Sequence, residues 1–147
     1  LRMPAILHWP GRVPAGQVVG EMVASMDVFP TILGAAGGDL GEFELDGRDL
    51  LPVATAGAPT PHETIFWEMN KQTAVRQGDW KLVLHGQLVE GAPPEDDVHL
   101  ANLAEDPGER INLAAELPER TAELRQLAEA WRARIEARWQ AEFAPHP

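Results

Sequence analysis

The 147-residue sequence contains no cysteine and no tyrosine, and its only serine is Ser25. Without cysteine there can be no disulfides, no thiolate zinc sites and no cysteine nucleophile. With one serine, any serine nucleophile would have to be Ser25. Positive charge is also scarce: 12 Lys and Arg stand against 23 Asp and Glu, a formal net charge of −11. Nonspecific binding to nucleic acid or to an anionic membrane rests on clustered Lys and Arg, so this balance argues against both. No run approaches the roughly 20 apolar residues that a membrane-spanning helix needs. A core, by contrast, is expected. Hydrophobic residues make up 44% of the chain, too many for a disordered acidic tail. The length suits one ordinary domain or a piece of a larger one. Leu1-Arg2-Met3-Pro4 opens mid-pattern, without an initiator Met or the zones of a signal peptide. The chain is therefore expected to be cut from something longer.

Pro4 to Trp9 is a short apolar run closed by Pro10-Gly11, and it predicts a buried strand ending in a tight turn. Arg12 to Gly20 reads as loop. Ser25 is placed to cap a helix, Asp27 suits its positive end, and Pro30 fits only the first turn. Val28, Phe29, Ile32, Leu33 and Ala36 recur at helical spacing until Gly37-Gly38 stop them. Asp46-Gly47 marks a loop, and Leu50-Leu51-Pro52 a single short helical turn. Strands are predicted at 64–68, 73–76 and 80–84, the last two joined by Gln77-Gly78-Asp79, with a fourth antiparallel strand at 98–103. The turn Glu105-Asp106-Pro107-Gly108 ends that strand. A helix starting near Pro118 carries one apolar stripe, Leu124, Leu127, Trp131, Ile135 and Trp139. The order gives a mixed α/β chain whose second half is α+β in character.

None of the five histidines (His8, His62, His85, His99, His146) forms a helical zinc-binding pair. His8, His85 and His99 fall in or beside strands and read as edge or core residues. His62 differs, because it lies in a loop just before a strand, where site residues collect. It is the one candidate for the rim of a substrate pocket. Glu95-Asp96-Asp97 sits on a Pro-rich loop and reads as a solvated acidic stretch, since a hard-cation cage needs carboxylates from several segments. Asp46 and Asp49 are explained by bonds to nearby backbone. Gly34-Ala35-Ala36-Gly37-Gly38 ends a helix and so is no phosphate loop. Trp67, Trp80, Trp131 and Trp139 read as packing between sheet and helix. No catalytic constellation emerges from these residues.

Five segments in order nevertheless resemble one family. They are Arg2 to Gly11 with Pro14-Ala15-Gly16; Ser25-Met26-Asp27-Val28-Phe29-Pro30-Thr31-Ile32-Leu33 with Ala36-Gly37; Leu45-Asp46-Gly47-Arg48-Asp49-Leu50-Leu51-Pro52; Ala74-Val75-Arg76-Gln77-Gly78-Asp79-Trp80-Lys81-Leu82; and Leu103 to Leu113, with its Asp106-Pro107-Gly108-Glu109 and Asn112-Leu113. They are similar to the C-terminal part of sulfatases of the alkaline-phosphatase-like superfamily. Ala101 departs from the pattern, since the family often has an aromatic residue there.

The resemblance implies an α/β (alkaline-phosphatase-like) fragment. Residues 1–56 would form the end of the main domain and its sheet. Residues 57–147 would form a C-terminal subdomain with a small antiparallel sheet and a closing helix. It also implies sulfate-ester hydrolysis by the intact protein, with formylglycine as nucleophile and Ca²⁺ as the metal. Ser25, followed by Met26-Asp27-Val28-Phe29, fails the nucleophile motif, so the nucleophile, metal ligands and catalytic Lys and His are expected upstream of Leu1. Within this chain no catalytic or metal residue is expected. The implied partners are a sulfate-ester small molecule or glycan and the N-terminal catalytic domain. If that domain is absent, an apolar face around Ile6, Leu7, Val28 and Ile32 should be exposed. A phosphodiesterase or phosphonate hydrolase of the same superfamily is the sister reading, and a non-catalytic protein-binding domain the third.

Overall fold

The computed structural model describes residues 3–69, 72–86 and 96–143. The chain divides into two compact units, 1–63 and 64–147.

In the first unit a 3-10 turn, Ser25–Asp27, runs into α1, Val28–Ala35. Pro30 falls in the first turn of α1, where its missing N–H costs nothing. The residue that satisfies the helix start is Asp27, which accepts the Ala24 N–H, and not the expected Ser25. At the other end Gly37 adopts φ +81° and Gly38 N–H bonds Leu33 O, a Schellman closure that a side chain at 37 would strain. α2, Leu51–Ala56, is longer than the predicted single turn and ends on left-handed Gly57.

Residues 3–9 form no strand, and Ile6 is 96% exposed. A strand is stable only when its backbone groups find a ladder partner, and among the described residues of the first unit no strand is present to supply one. Leu7, Val28, Phe29 and Ile32 are also exposed, and Phe29 meets Phe43 edge to face at 6.4 Å. Ile6, Leu7, Val28 and Ile32, the side chains expected to form an apolar face, are thus each exposed.

The second unit is an antiparallel meander, β1 (Thr64–Met69), β2 (Gln72–Gln77), β3 (Trp80–Leu84) and β4 (Val98–Asn102), in that spatial order. Gly78, at φ +58°, supplies the positive φ that the two-residue turn between β2 and β3 needs. The register places Phe66, Val75, Leu82 and Leu100 opposite one another in a single row. α3, Pro118–Glu142, begins with proline in its first turn and covers that row. Leu124 and Ala128 are buried on Val75, Leu82, Leu84 and Leu100. Trp131 stacks on Phe66 at 5.2 Å with the rings nearly parallel. The stripe loses contact toward its end: Trp139 is 52% exposed and stacks only on Phe143. Its predicted core position fails because the sheet is too narrow to underlie the last turns of a 25-residue helix.

The segment between β4 and α3 has no regular structure and is held by side chains. Asn112 works as an extra piece of strand, with Oδ1 accepting the Leu100 N–H and Nδ2 donating to Val98 O. Asp106 accepts the N–H groups of Arg110 and Ile111. Lys81 Nζ binds both oxygens of Glu109 at 2.7 and 2.6 Å, with both side chains largely buried. Replacing Asn112 with Ala strands a donor and an acceptor at the edge of β4. The expected loss is about 2–3 kcal/mol in urea unfolding of the intact protein. A loss below about 0.5 kcal/mol would contradict the strand-like role.

Candidate functional site

The densest polar cluster of the first unit is centred on Asp27, whose carboxylate is fully buried. Oδ2 accepts the Ala24 N–H at 2.7 Å, and Oδ1 accepts the Arg48 N–H and the His62 Nε2–H, both at 2.8 Å. Its backbone carbonyl accepts the Thr31 hydroxyl, which in turn accepts the Leu50 N–H at 2.9 Å. One side chain therefore joins three segments: the approach to α1, the loop before α2 and the residues before β1. Gly47 is required by this join for lack of room. A Cβ at 47 would collide with the Met26 carbonyl, so only glycine lets the two backbones approach this closely.

His62 reaches the clasp because Thr60 anchors the residues before it. The Thr60 N–H donates to Glu21 Oε2, its hydroxyl to Met22 O, and the His62 N–H to Thr60 Oγ1. His62, the candidate for a pocket rim, is 8% exposed and spends Nε2 on Asp27. In a nucleophilic triad that nitrogen would face the nucleophile. Here it performs fixation.

The remaining candidates lie apart. His8 is exposed. His85 is exposed, at φ +56°, with Nδ1 3.0 Å from Asp97 Oδ1. His99 is buried with Nδ1 3.4 Å from Asp96 Oδ2. Asp96 and Asp97 thus each face a histidine, while Glu95 and His146 lie outside the described residues. Asp49 accepts the Leu51 N–H at the start of α2, as local backbone bonding requires. Among the described residues no three His, Asp or Glu converge as a metal ligand set. Sequence reasoning missed Asp27 and Thr31 as a hub. Asp27 reads locally as a helix-start signal and Thr31 only as part of a family segment, and no local pattern tells which distant N–H groups they meet.

Removing the carboxylate with Asp27→Ala leaves two partly buried N–H groups and the buried imidazole without their partner. The expected cost is at least about 3 kcal/mol. His62→Gln, which keeps a donor, should cost less than His62→Leu in the same unfolding assay. Equal losses for the two would remove the hydrogen bond from the account.

Comparison with known proteins places this architecture. Residues 1–135 match the family model described as N-sulphoglucosamine sulphohydrolase, C-terminal. Bovine arylsulfatase A is 32% identical over 133 residues, covering 77% of this chain and 26% of the relative. A solved structure of a protein in complex with its substrate D-glucosamine-2-N,6-O-disulfate superposes with a TM-score of 0.68, at 22% identity. It covers 97% of this chain and 30% of that one. The phosphonate monoester hydrolase of Agrobacterium radiobacter gives a TM-score of 0.56 at 24% identity, over 82% of this chain and 27% of its own. These two likenesses are of fold, and they meet the expected α/β (alkaline-phosphatase-like) class with its small antiparallel sheet and closing helix. The chain spans about a quarter of the length of bovine arylsulfatase A. It belongs to the N-sulphoglucosamine sulphohydrolase C-terminal family of the sulfatases.

Proposed function

We propose that these residues are the C-terminal part of a sulfuric ester hydrolase, and that the intact protein hydrolyses the sulfate ester of a small molecule or a glycan. The observation that carries this reading is the family match over residues 1–135. The structure gives its motifs physical roles. Asp27 and Gly47 form the clasp, Gly78 turns the hairpin, and Lys81, Asp106, Glu109 and Asn112 tie the segment after β4 to the sheet. All of these are scaffold roles. Residues 1–56 are assigned to the end of the main domain and 57–147 to the subdomain.

Formylglycine and Ca²⁺ are the cofactors this reading implies, and both are assigned to parts of the intact protein outside these residues. When bound, the metal would polarise sulfate oxygens and favour the ionised nucleophile. This chain contributes position. His62 acts at the pocket rim through Asp27, fixing the segment that leads into β1. The phosphonate-hydrolase fold likeness keeps a phosphoryl or phosphonyl substrate as the second reading. Side-by-side assays of the intact protein with aryl sulfate, phosphate diester and phosphonate ester decide between them. Sulfate should be turned over fastest; a preference for phosphonate, or no turnover of any ester, would sink the sulfatase reading.

The catalytic part is the proposed cover of the open apolar face formed by Ile6, Leu7, Val28, Phe29 and Ile32. Burying an aliphatic or aromatic side chain of this size contributes roughly 1.5–3 kcal/mol. A Phe29→Glu, Ile32→Glu double substitution should therefore act in opposite directions. It should lower the thermal midpoint of the intact protein and raise the solubility of the isolated 147 residues, read by light scattering. An intact protein with an unchanged midpoint would show that the face is uncovered.

A further inference from the structure

The clasp at Asp27 holds in place the one Asp-Gly pair of the sequence, Asp46-Gly47, and the sequence has no Asn-Gly. An aspartate followed by glycine can rearrange. The glycine nitrogen attacks the side-chain carboxyl carbon of the aspartate, and a residue without a Cβ leaves that approach clear. The ingredients are present here. Asp46 is exposed, and among the described residues its carboxylate meets no hydrogen-bond donor and no cation. Among the same residues no backbone acceptor meets the Gly47 N–H. Residues 43–50 belong to no helix or strand that would hold the pair by its own ladder.

What the folded chain withholds is motion. The attack requires the peptide between 46 and 47 to turn its nitrogen toward the Asp46 side chain. Gly47 is buried against the Met26 carbonyl, with no room even for a Cβ. The Arg48 N–H is fixed to Asp27 Oδ1 at 2.8 Å. The Arg48 guanidinium also donates to Leu45 O at 2.8 Å and to Gly47 O at 3.2 Å, which ties the chain on both sides of Asp46. The peptide is free to turn only when these contacts open, so the rate follows the fraction of molecules that are locally open. The product then works against reclosing. Its main chain runs through the former side chain and is one methylene longer, which carries the Arg48 N–H out of register with Asp27. The negative charge moves from Cγ to the former main-chain carbon of residue 46.

We propose that Asp46-Gly47 is a modification site at which the chain isomerises to isoaspartate, gated by the Asp27 clasp and, once modified, holding that clasp open. In the first step the Gly47 nitrogen gives its proton to solvent base, bonds to Asp46 Cγ and closes a five-membered succinimide with loss of one water. In the second, a water opens the ring. Opening at the former main-chain carbonyl gives the isoaspartyl link, and opening at Cγ restores aspartate. The test keeps the intact protein at neutral pH and body temperature, and reads isoaspartate at residue 46 by peptide mapping and by methyl transfer from an isoaspartyl methyltransferase. It should accumulate in the folded protein at least about tenfold more slowly than in the urea-unfolded protein. His62→Leu, which removes one bond to the buried carboxylate, should raise the folded rate about tenfold. Arg48→Met changes an exposed side chain and keeps the backbone N–H, so it carries the test if His62→Leu does not fold, with about a threefold rise. Asp46→Glu should abolish the signal, because the ring would need six members. The isomerised protein should melt below its parent. No isoaspartate at 46 in the folded protein or in either variant, equal rates folded and unfolded, rates unmoved by both variants, or an unchanged midpoint after isomerisation would overturn the assignment. None of these readouts uses an ester substrate, so the proposal stands or falls apart from sulfatase activity.

Discussion

A buried carboxylate has to have its lone pairs filled, and in the first unit nearly everything follows from how Asp27 meets that requirement. Its donors come from residues 24, 48 and 62. Those three stretches have little regular structure of their own to hold them. Losing the carboxylate would therefore release the loop before α2, the approach to α1 and the residues leading to β1 together. Gly47 belongs to the same constraint, since the Arg48 N–H reaches Asp27 only when the two backbones touch.

The second unit solves the equivalent problem at the end of a sheet. β4 would present unpaired groups along its outer side, and the Asn112 amide fills two of them as a neighbouring strand would. Glu109 takes φ +53° and directs its carboxylate onto Lys81, so the turn and the ion pair are one device. Placing a largely buried cation beside its partner favours a defined geometry more than raw stability.

The strands, the hairpin at Gly78 and the long helix were legible because each depends on local periodicity and turn chemistry within about ten residues. Pro4 to Trp9 misled for the opposite reason, since apolar content says what could be buried and not what is present to bury it. Trp139 has the right helical phase but lies past the edge of the sheet, and phase carries no information about how wide that sheet is. The Asp27 clasp was invisible because its partners lie 21 and 35 residues away, where no window of pattern reaches. The family motifs marked its members without showing that they meet.

The separation of those partners also bears on the order of folding. Register partners in the β2–β3 hairpin are only a few residues apart, so the second unit gains a reward for each short loop it closes. The bonds that close the first unit span 35, 38 and 39 residues and are single side-chain contacts rather than growing ladders. Each must meet the entropy of a long loop before anything is gained. On loop entropy alone the meander and its helix are favoured to form early, while each bond of the clasp waits on closure of a long loop.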